Sequence, residues 1–436
     1  MGMYHKIKFM TGKVTALIMA VIFPFAVIIR NGKIREINCY IFSAFSVLVL
    51  LCAVINRLIN NKEKFRDFRL SEIKSRYIVT GVLLIIAVLW NFISPSAGYE
   101  LSGAGSIMQG TLFFAGCACI YIVISECYIY EEADMMAMLT ASIIINVITL
   151  YKFFASAKSG TDAYVIYSVM MLAASVHAFL LSEDNKKIYY FITAGFCEAG
   201  LILTSGYMAF AGMWIVFLVM LPAALRKYEC FARYELVVLM IFLLGRLYAY
   251  INAFTGKVNV SSDISAFLMS NKTSAIIAAG CIIYMLLIMF DERIKGFIKN
   301  IRKDIAKCIY AGVCGLAVTV VLAIVMINNY RYNYTFYLNV FMGIVQIAAS
   351  VVMFVIVVHK VLEAIDDRNK PDKDINYGDD DSLLQGYGSR YMITATGMAA
   401  LVYILLGTGN LFRIETFSVF ICFVAIMNTY NKNCGS

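Results

Sequence analysis

Residues 188–225 read IYYFITAGFCEAGLILTSGYMAFAGMWIVFLVMLPAAL, two apolar segments joined by a short polar turn at Thr204–Gly206. Each segment approaches the length of about 20 residues that a helix needs to cross the hydrocarbon of a bilayer. No water is available there, so every backbone N–H and C=O must be bonded within the helix. The stretch therefore predicts two successive transmembrane helices, over 188–203 and 207–225.

The same pattern recurs along the whole chain. Apolar segments of about spanning length alternate with short polar loops, and we expect about fourteen spans, within a range of twelve to fourteen. The predicted fold class is all-α, a polytopic transmembrane helical bundle. The predicted spans are 14–29, 37–56, 77–94, 110–128, 134–154, 163–181, 188–203, 207–225, 234–254, 273–290, 308–327, 336–358, 391–406 and 416–430.

Composition agrees with a membrane protein. Hydrophobic residues make up 61% of the 436 residues and charged residues only 15%, whereas soluble domains carry about 25% charged residues. Such a chain leaves no room for a large soluble domain. We therefore predict a single integral membrane domain over 1–436, with 359–390 as a polar cytoplasmic loop within it.

Positive charge is concentrated in two loops, Arg57–Arg76 and Arg293–Lys307. The positive-inside rule assigns both loops to the cytoplasm, and counting spans outward from them places both termini in the cytoplasm. The net charge of +9 is then a signal of topology and of contact with the anionic inner leaflet. We predict a multi-pass protein of the plasma (inner) membrane whose partner is the lipid bilayer and not a nucleic acid.

Ionisable residues inside predicted spans are candidates for function, because a charge in the bilayer is costly. There are four: Glu126, His177, Glu198 and Arg246. Glu198 and Arg246 have two open interpretations, a buried ion pair that locks helix packing and a pair of substrate-binding groups. Glu126 lies near a helix end, where its carboxylate can reach water. His177 has no His or Cys at ligand spacing and is best interpreted as structural.

Short loops on the predicted outer side contain the remaining candidates. The loop 328–335 (NNYRYNYT) places Arg331 among three Tyr and three Asn residues. Arginine binds phosphate through paired hydrogen bonds, and tyrosine and asparagine suit sugar rings and hydroxyls. An interfacial belt of aromatic anchors is the alternative interpretation of this loop. The cysteines lack paired spacing and resemble packing residues, so we expect no cofactor and no metal.

The segment AGLILTSGYMAFAGMWIVFLVML at 199–221 resembles the region around the Thr-x-Ser-Arg-type motif of the O-antigen ligase and polymerase membrane family. Thr204 and Ser205 occupy the corresponding turn. The Arg of the motif is absent here, because Gly206 and Tyr207 follow Ser205 directly. The stretch YTFYLNVFMGIVQIAASVVMFVIVV at 334–358 is similar to the family helix that leaves the outer loop. Tyr334 stands at the position of the family's outer-loop His.

This resemblance implies a metal-independent transfer or polymerisation of a glycan linked to polyprenyl diphosphate, at the outer face of the membrane, in the biosynthesis of a cell-surface polysaccharide. The partner would be the polyprenyl-diphosphate-linked oligosaccharide. Arg residues would neutralise the diphosphate, and a base would activate the acceptor hydroxyl. The implied catalytic residues are Glu198 and Arg331, and the implied substrate-binding residues are Arg246, Thr204, Ser205 and Tyr334.

Two other functions remain open at this point. A flippase for lipid-linked oligosaccharides, or another polysaccharide transporter of the same pathway, also suits fourteen spans, and such proteins are often built from internal repeats. A membrane subunit without enzymatic activity is favoured if Glu198 and Arg246 pair with each other.

Overall fold

The computed structural model describes residues 3–25, 42, 44–52, 54, 80–81, 85, 111–128, 132–156, 162–181, 186–204, 206–224, 228–255, 263–289, 421–422 and 425–426. Within this part the chain is helical and contains no strand. The helices are α1 (Met3–Leu17), continued by a π-helical turn (Ile18–Ile22), α2 (Thr111–Cys127), α3 (Glu132–Ser156), α4 (Asp162–Leu181), α5 (Lys187–Thr204), α6 (Tyr207–Ala224), α7 (Tyr228–Thr255), α8 (Asp263–Met269) and α9 (Lys272–Met289).

Helices form where the sequence predicted them in the described part. Helices α2 to α7 and α9 coincide with the segments expected over 110–128, 134–154, 163–181, 188–203, 207–225, 234–254 and 273–290. Two details differ. Helix α1 begins at Met3 rather than at residue 14, because polar residues that precede an apolar window do not interrupt a helix. The expected loop 255–272 contains the short helix α8.

Some of these helices are long and apolar enough to cross a membrane. Two qualify in the described part, Ala133–Ala155 with 23 residues and Cys230–Thr255 with 26 residues. The pair Asp263–Met269 and Lys272–Tyr284, which bends by 64°, gives a third if it is one broken span. At about 1.5 Å per residue, the two continuous helices exceed the roughly 30 Å of a bilayer's hydrocarbon core. The chain is therefore a helical membrane protein.

The chain divides into two compact units, residues 1–141 together with 409–436, and residues 142–408. In the first unit α1 packs against α2. Gly12 lies so close to the backbone of Cys127 that a Cβ atom would overlap it, and small residues are what allow helices in membranes to approach closely. Lys13 forms an ion pair with Asp134 at 3.1 Å, and the Tyr128 hydroxyl donates to the same carboxylate at 3.3 Å.

The second unit is centred on α4 and α5, which make the most extensive helix contact of the described part. Helix α7 packs across α4, α5, α6, α8 and α9. Its N-terminal turns are tied to the end of α4, since Arg233 donates to the carbonyls of Phe179 at 3.2 Å and Leu180 at 3.1 Å. A cation at a helix C-terminus satisfies carbonyls that have no intrahelical partner.

The break between α8 and α9 is itself well bonded. Thr273 is fully buried, and its hydroxyl donates to the carbonyls of Leu268 at 3.2 Å and Ser270 at 2.6 Å. Gly245 of α7 lies against this break, where a Cβ atom would be 2.8 Å from the Leu268 carbonyl oxygen. Helices α7 and α8 can cross this closely because position 245 has no side chain.

Candidate functional site: a buried polar cluster beside Glu198

Neutral polar side chains meet in the interior of the second unit, in a group that we call the Asn146 cluster. Its members come from three helices, and all are buried: Ser142, Asn146, Tyr164, Ser168 and Cys197. In membranes such polar contacts between helices contribute roughly 0.6 kcal/mol each, up to about 2 kcal/mol. The cluster therefore fixes how α3, α4 and α5 pack against one another.

Asn146 is the hub of the cluster. Its Oδ1 accepts hydrogen bonds from the hydroxyls of Tyr164 at 2.5 Å and Ser168 at 3.4 Å. Its Nδ2 donates to the carbonyl of Ser142 at 2.8 Å, to the Ser142 hydroxyl at 3.2 Å and to Cys197 Sγ at 3.6 Å. Both ends of the amide are satisfied, as a buried amide requires.

The local sequence explains why these groups meet. Ser142 and Asn146 are four residues apart on α3, and Tyr164 and Ser168 are four apart on α4, so each pair shares one helix face. On α5, Cys197 and Gly200 are three apart and face the same neighbours. A Cβ atom at position 200 would overlap the Tyr164 hydroxyl, so glycine leaves the space that the tyrosine occupies.

Glu198 follows Cys197 directly and is completely buried, with an exposed fraction of 0%. Among the described residues, neither carboxylate oxygen has a hydrogen-bond partner. The hydroxyl of Tyr167 on α4 is also buried and without a partner. Leaving a polar group in this state costs several kcal/mol. On α3, α4 and α5, Glu198 and Tyr167 are therefore the described side chains with buried oxygens that lack a partner.

Arg246 does not pair with Glu198, so the hypothesis of a buried ion pair between them is wrong. Its guanidinium instead donates to the carbonyl of Met269 at 2.8 Å and lies over the Tyr250 ring, 5.2 Å from the ring centroid. Met269 is the last residue of α8, whose carbonyls lack intrahelical partners. The arginine thus bonds to a backbone atom at the break between α8 and α9.

The remaining predicted site residues are placed as follows. Thr204 ends α5, and its hydroxyl donates to the Leu201 carbonyl at 2.7 Å. Ser205, Arg331 and Tyr334 lie outside the described residues, as does the side chain of Glu126. His177 is buried in α4, with 5% of its surface exposed. The structure therefore brings together Glu198 and the Asn146 cluster, and places Arg246 at a different feature.

Sequence reasoning missed Asn146, Tyr164 and Tyr167. Ionisable residues within spans are conspicuous in a sequence, whereas these side chains are neutral at ordinary pH. The detectable signal was the four-residue spacing of Ser142 with Asn146 and of Tyr164 with Ser168 in otherwise apolar helices. Neighbouring helices with polar pairs on one face are expected to turn those faces toward each other.

No protein-family model, curated protein or solved structure matches the chain.

Proposed function

We propose that this chain is a multi-pass protein of the plasma (inner) membrane, with about fourteen spans and both termini in the cytoplasm. The helices of the described part lie where the span pattern expects them, and the loops Arg57–Arg76 and Arg293–Lys307 supply the orientation. In this topology the turn after Thr204 and the α8 segment face outward. The α4–α5 and α6–α7 connections face the cytoplasm.

We propose that the protein transfers or polymerises a glycan linked to polyprenyl diphosphate at the outer face of this membrane. The observation that carries the proposal is the buried, unpartnered carboxylate of Glu198. It lies six residues before Thr204, about 9 Å along the helix from the outward end. It also directly precedes the segment 199–221, which resembles the O-antigen ligase and polymerase family.

In the proposed reaction Glu198 is the general base. An acceptor hydroxyl oxygen forms a bond to the anomeric carbon of the donor sugar, and the bond from that carbon to the diphosphate oxygen breaks. The electron pair leaves with the polyprenyl diphosphate, and the hydroxyl proton passes to the Glu198 carboxylate. The carboxylate has both oxygens free for this step, whereas a carboxylate paired with Arg246 would be a weaker base.

Arginines neutralise the leaving group in this proposal. Arg246 uses one N–H group on the Met269 carbonyl, and a guanidinium carries further N–H donors that can bind diphosphate oxygens. Arg331 is the second arginine of the proposed site. Thr204, Ser205 and Tyr334 contribute hydroxyls for the sugar or phosphate groups.

Glu198→Gln tests this function, because it removes the base while nearly keeping the shape of the side chain. In cells that depend on this chain for a long surface glycan, we expect loss of the long glycan, with lipid-linked repeat units accumulating at the outer leaflet. Impermeant periodate oxidation distinguishes the two leaflets. Asp263→Asn is the matched control, since Asp263 is an exposed acid on the same side. Wild-type glycan from Glu198→Gln would contradict the proposal.

A second candidate function is a flippase for the same lipid-linked oligosaccharide. The bent pair of α8 and α9, with an angle of 64°, favours it, because broken helices are typical of the substrate sites of transporters. The same experiment separates the two functions. Repeat units that accumulate at the inner leaflet in Glu198→Gln cells would support the flippase.

A further inference from the structure

Glu198 must be neutralised by something, because an ionised carboxylate that is buried without a partner is prohibitively unfavourable. Helix α7, which packs against α5, carries two arginines, and both are bonded elsewhere. Arg246 donates to the Met269 carbonyl. Arg233 donates to the carbonyls of Phe179 and Leu180 at the C-terminal end of α4. Among the described residues, no cationic side chain neutralises this carboxylate.

The titratable groups on α4, α5 and α7 closest to the Asn146 cluster are tyrosines and a cysteine, which carry no positive charge. Helix α4 contributes Tyr164, bonded to Asn146, and Tyr167. Helix α7 contributes Tyr248, whose hydroxyl donates to the Ala199 carbonyl at 2.9 Å, and α5 itself contributes Cys197. Glu235 of α7, whose Oε2 is buried without a partner in the described part, lies thirteen residues before Tyr248, about 20 Å along the helix.

Charged groups on the other helices around α5 do not bond to Glu198 in the part of the chain that the structure describes. His177 on α4 lies ten residues beyond Tyr167, about 15 Å along the helix. On α3, the cluster residues Ser142 and Asn146 do not titrate, and Lys152 lies six residues beyond Asn146, about 9 Å along the helix. Helix α6 presents no charged side chain in the described part. None of the groups near Glu198 can therefore compensate its negative charge.

A proton suits this site better than a metal ion. The described residues contain no group of three or more His, Cys, Asp or Glu that could hold a metal. Nearby neutral oxygens are already used, since Asn146 Oδ1 accepts two hydrogen bonds and the Tyr248 hydroxyl donates to Ala199. Among the buried neutral side-chain oxygens of α3, α4 and α5 in the described part, only the Tyr167 hydroxyl has no partner. A metal cation would need several more oxygen ligands, whereas a proton needs one carboxylate oxygen.

We infer that Glu198 is a proton-binding site within the helical bundle, which exchanges its proton with water through the Thr204 end of α5. In the buried arrangement of the structure the side chain is then a neutral carboxylic acid. Its route to water runs along six residues to the half-buried Thr204, about 9 Å. The other end of α5, at Lys187, is about 16 Å away.

If the protein catalyses the proposed glycan transfer, proton binding at Glu198 affects the rate of that reaction. A protonated Glu198 cannot accept the proton of an acceptor hydroxyl. The carboxylic acid must first release its proton to outside water, so glycan transfer would fall as the external pH is lowered. Proton binding itself requires no glycan, and it can be measured in the purified full-length protein.

Infrared difference spectroscopy tests the inference directly. In lipid nanodiscs, the wild-type protein should show the carbonyl band of a protonated carboxylic acid that is missing from Glu198→Gln. Raising the pH should remove this band, with the protonated fraction falling about tenfold per pH unit beyond the midpoint, as a single proton site requires. Asp263→Asn, which removes an exposed acid, should keep the band.

Labelling with dicyclohexylcarbodiimide gives an independent measurement. This apolar reagent adds to a protonated carboxyl group, and mass spectrometry locates the adduct. We expect an adduct on Glu198 at low pH and its loss at high pH, in parallel with the infrared band.

Three infrared results would overturn the inference: no Glu198 band at any pH, a band that persists at every pH, or a band that sodium removes at constant pH while choline does not. These results are distinguishable from failure of the proposed function. A band that titrates, together with normal glycan in Glu198→Gln cells, would keep the proton site and refute the transfer reaction.

Discussion

The Tyr164 hydroxyl donates a hydrogen bond to Asn146 Oδ1 at 2.5 Å and occupies the space that a Cβ atom at position 200 would need. One tyrosine on α4 thus bonds to α3 and fits against α5 at the same point. This arrangement sets the position of α5 in the second unit, and Glu198 is carried on that helix two residues before Gly200. The position of Glu198 therefore depends on the packing of the Asn146 cluster.

Gly200→Ala should destabilise the protein. The added Cβ would overlap the Tyr164 hydroxyl and lie 2.7 Å from Asn146 Oδ1, so the hydrogen bond must break or the helices must separate. Overpacking of this kind costs about 1–3 kcal/mol. Thermal unfolding in detergent measures the change. Gly81→Ala is the matched control, because nothing lies within 4 Å of a Cβ atom at position 81, and equal effects of the two substitutions would contradict this account.

Asn146→Ala should lower the free energy of unfolding by about 1–3 kcal/mol, because the hydroxyls of Tyr164 and Ser168 lose their acceptor inside the unit. Unfolding by titration with a denaturing detergent measures this loss. Thr140→Ala on the same helix is the control. Its hydroxyl is exposed and donates to the Met136 carbonyl, so the expected change is below about 0.5 kcal/mol. A similar loss in both variants would show that Asn146 has no special role.

Arg246→Ala should loosen the break between α8 and α9. The Met269 carbonyl would lose its charged donor, at a cost of about 1–2 kcal/mol for a half-exposed group. Hydrogen exchange should become faster at the amides of Ser270, Thr273 and Ser274, which form the hydrogen bonds of the break.

The exposed cation Lys272 offers the control for that experiment. Lys272→Ala removes a positive charge near the break without removing a bond to Met269. Exchange at these amides should stay near the wild-type rate. If Arg246→Ala leaves exchange unchanged, the arginine does not support the break.

The ion pair of Lys13 and Asp134 should show measurable coupling in the first unit. Asp134 is nearly buried, with 3% of its side chain exposed, while Lys13 is 27% exposed. Lys13→Met leaves the carboxylate with the Tyr128 hydroxyl as donor, so the expected loss lies below the roughly 3–5 kcal/mol typical of a fully buried pair. A double-mutant cycle with Asp134→Asn should give a coupling energy of about 1–2 kcal/mol. Strictly additive effects would show that the contact contributes nothing to stability.

Helix positions were predictable from the sequence because they depend on a local property. An apolar stretch in a membrane has to satisfy its own backbone, and a helix does so without any distant partner. The segments expected over 163–181 and 207–225 are therefore helices in the structure, as α4 and α6. The short helix α8 was not predicted, because seven residues with a charged start carry too little periodicity to stand out from a loop.

The sequence also indicated that Glu198 is a candidate functional residue, because a carboxylate within an apolar segment is conspicuous in any context. Its surroundings were not predictable. Charge complementarity favoured Arg246 as its partner, yet the arginine bonds to the Met269 carbonyl, a backbone atom that no analysis of side-chain types would select.

By itself, the sequence determined the helical membrane class, the positions of the described helices other than α8, and the candidacy of Glu198, because each follows from the local cost of exposing polar groups to hydrocarbon. Only the tertiary structure decided which polar groups meet. Asn146, Tyr164 and Cys197 come from three helices, and their contact depends on how those helices rotate and approach, with Gly200 leaving the space between them. That packing leaves Glu198 without a side-chain or backbone partner among the described residues. From this we infer that a proton neutralises its carboxylate.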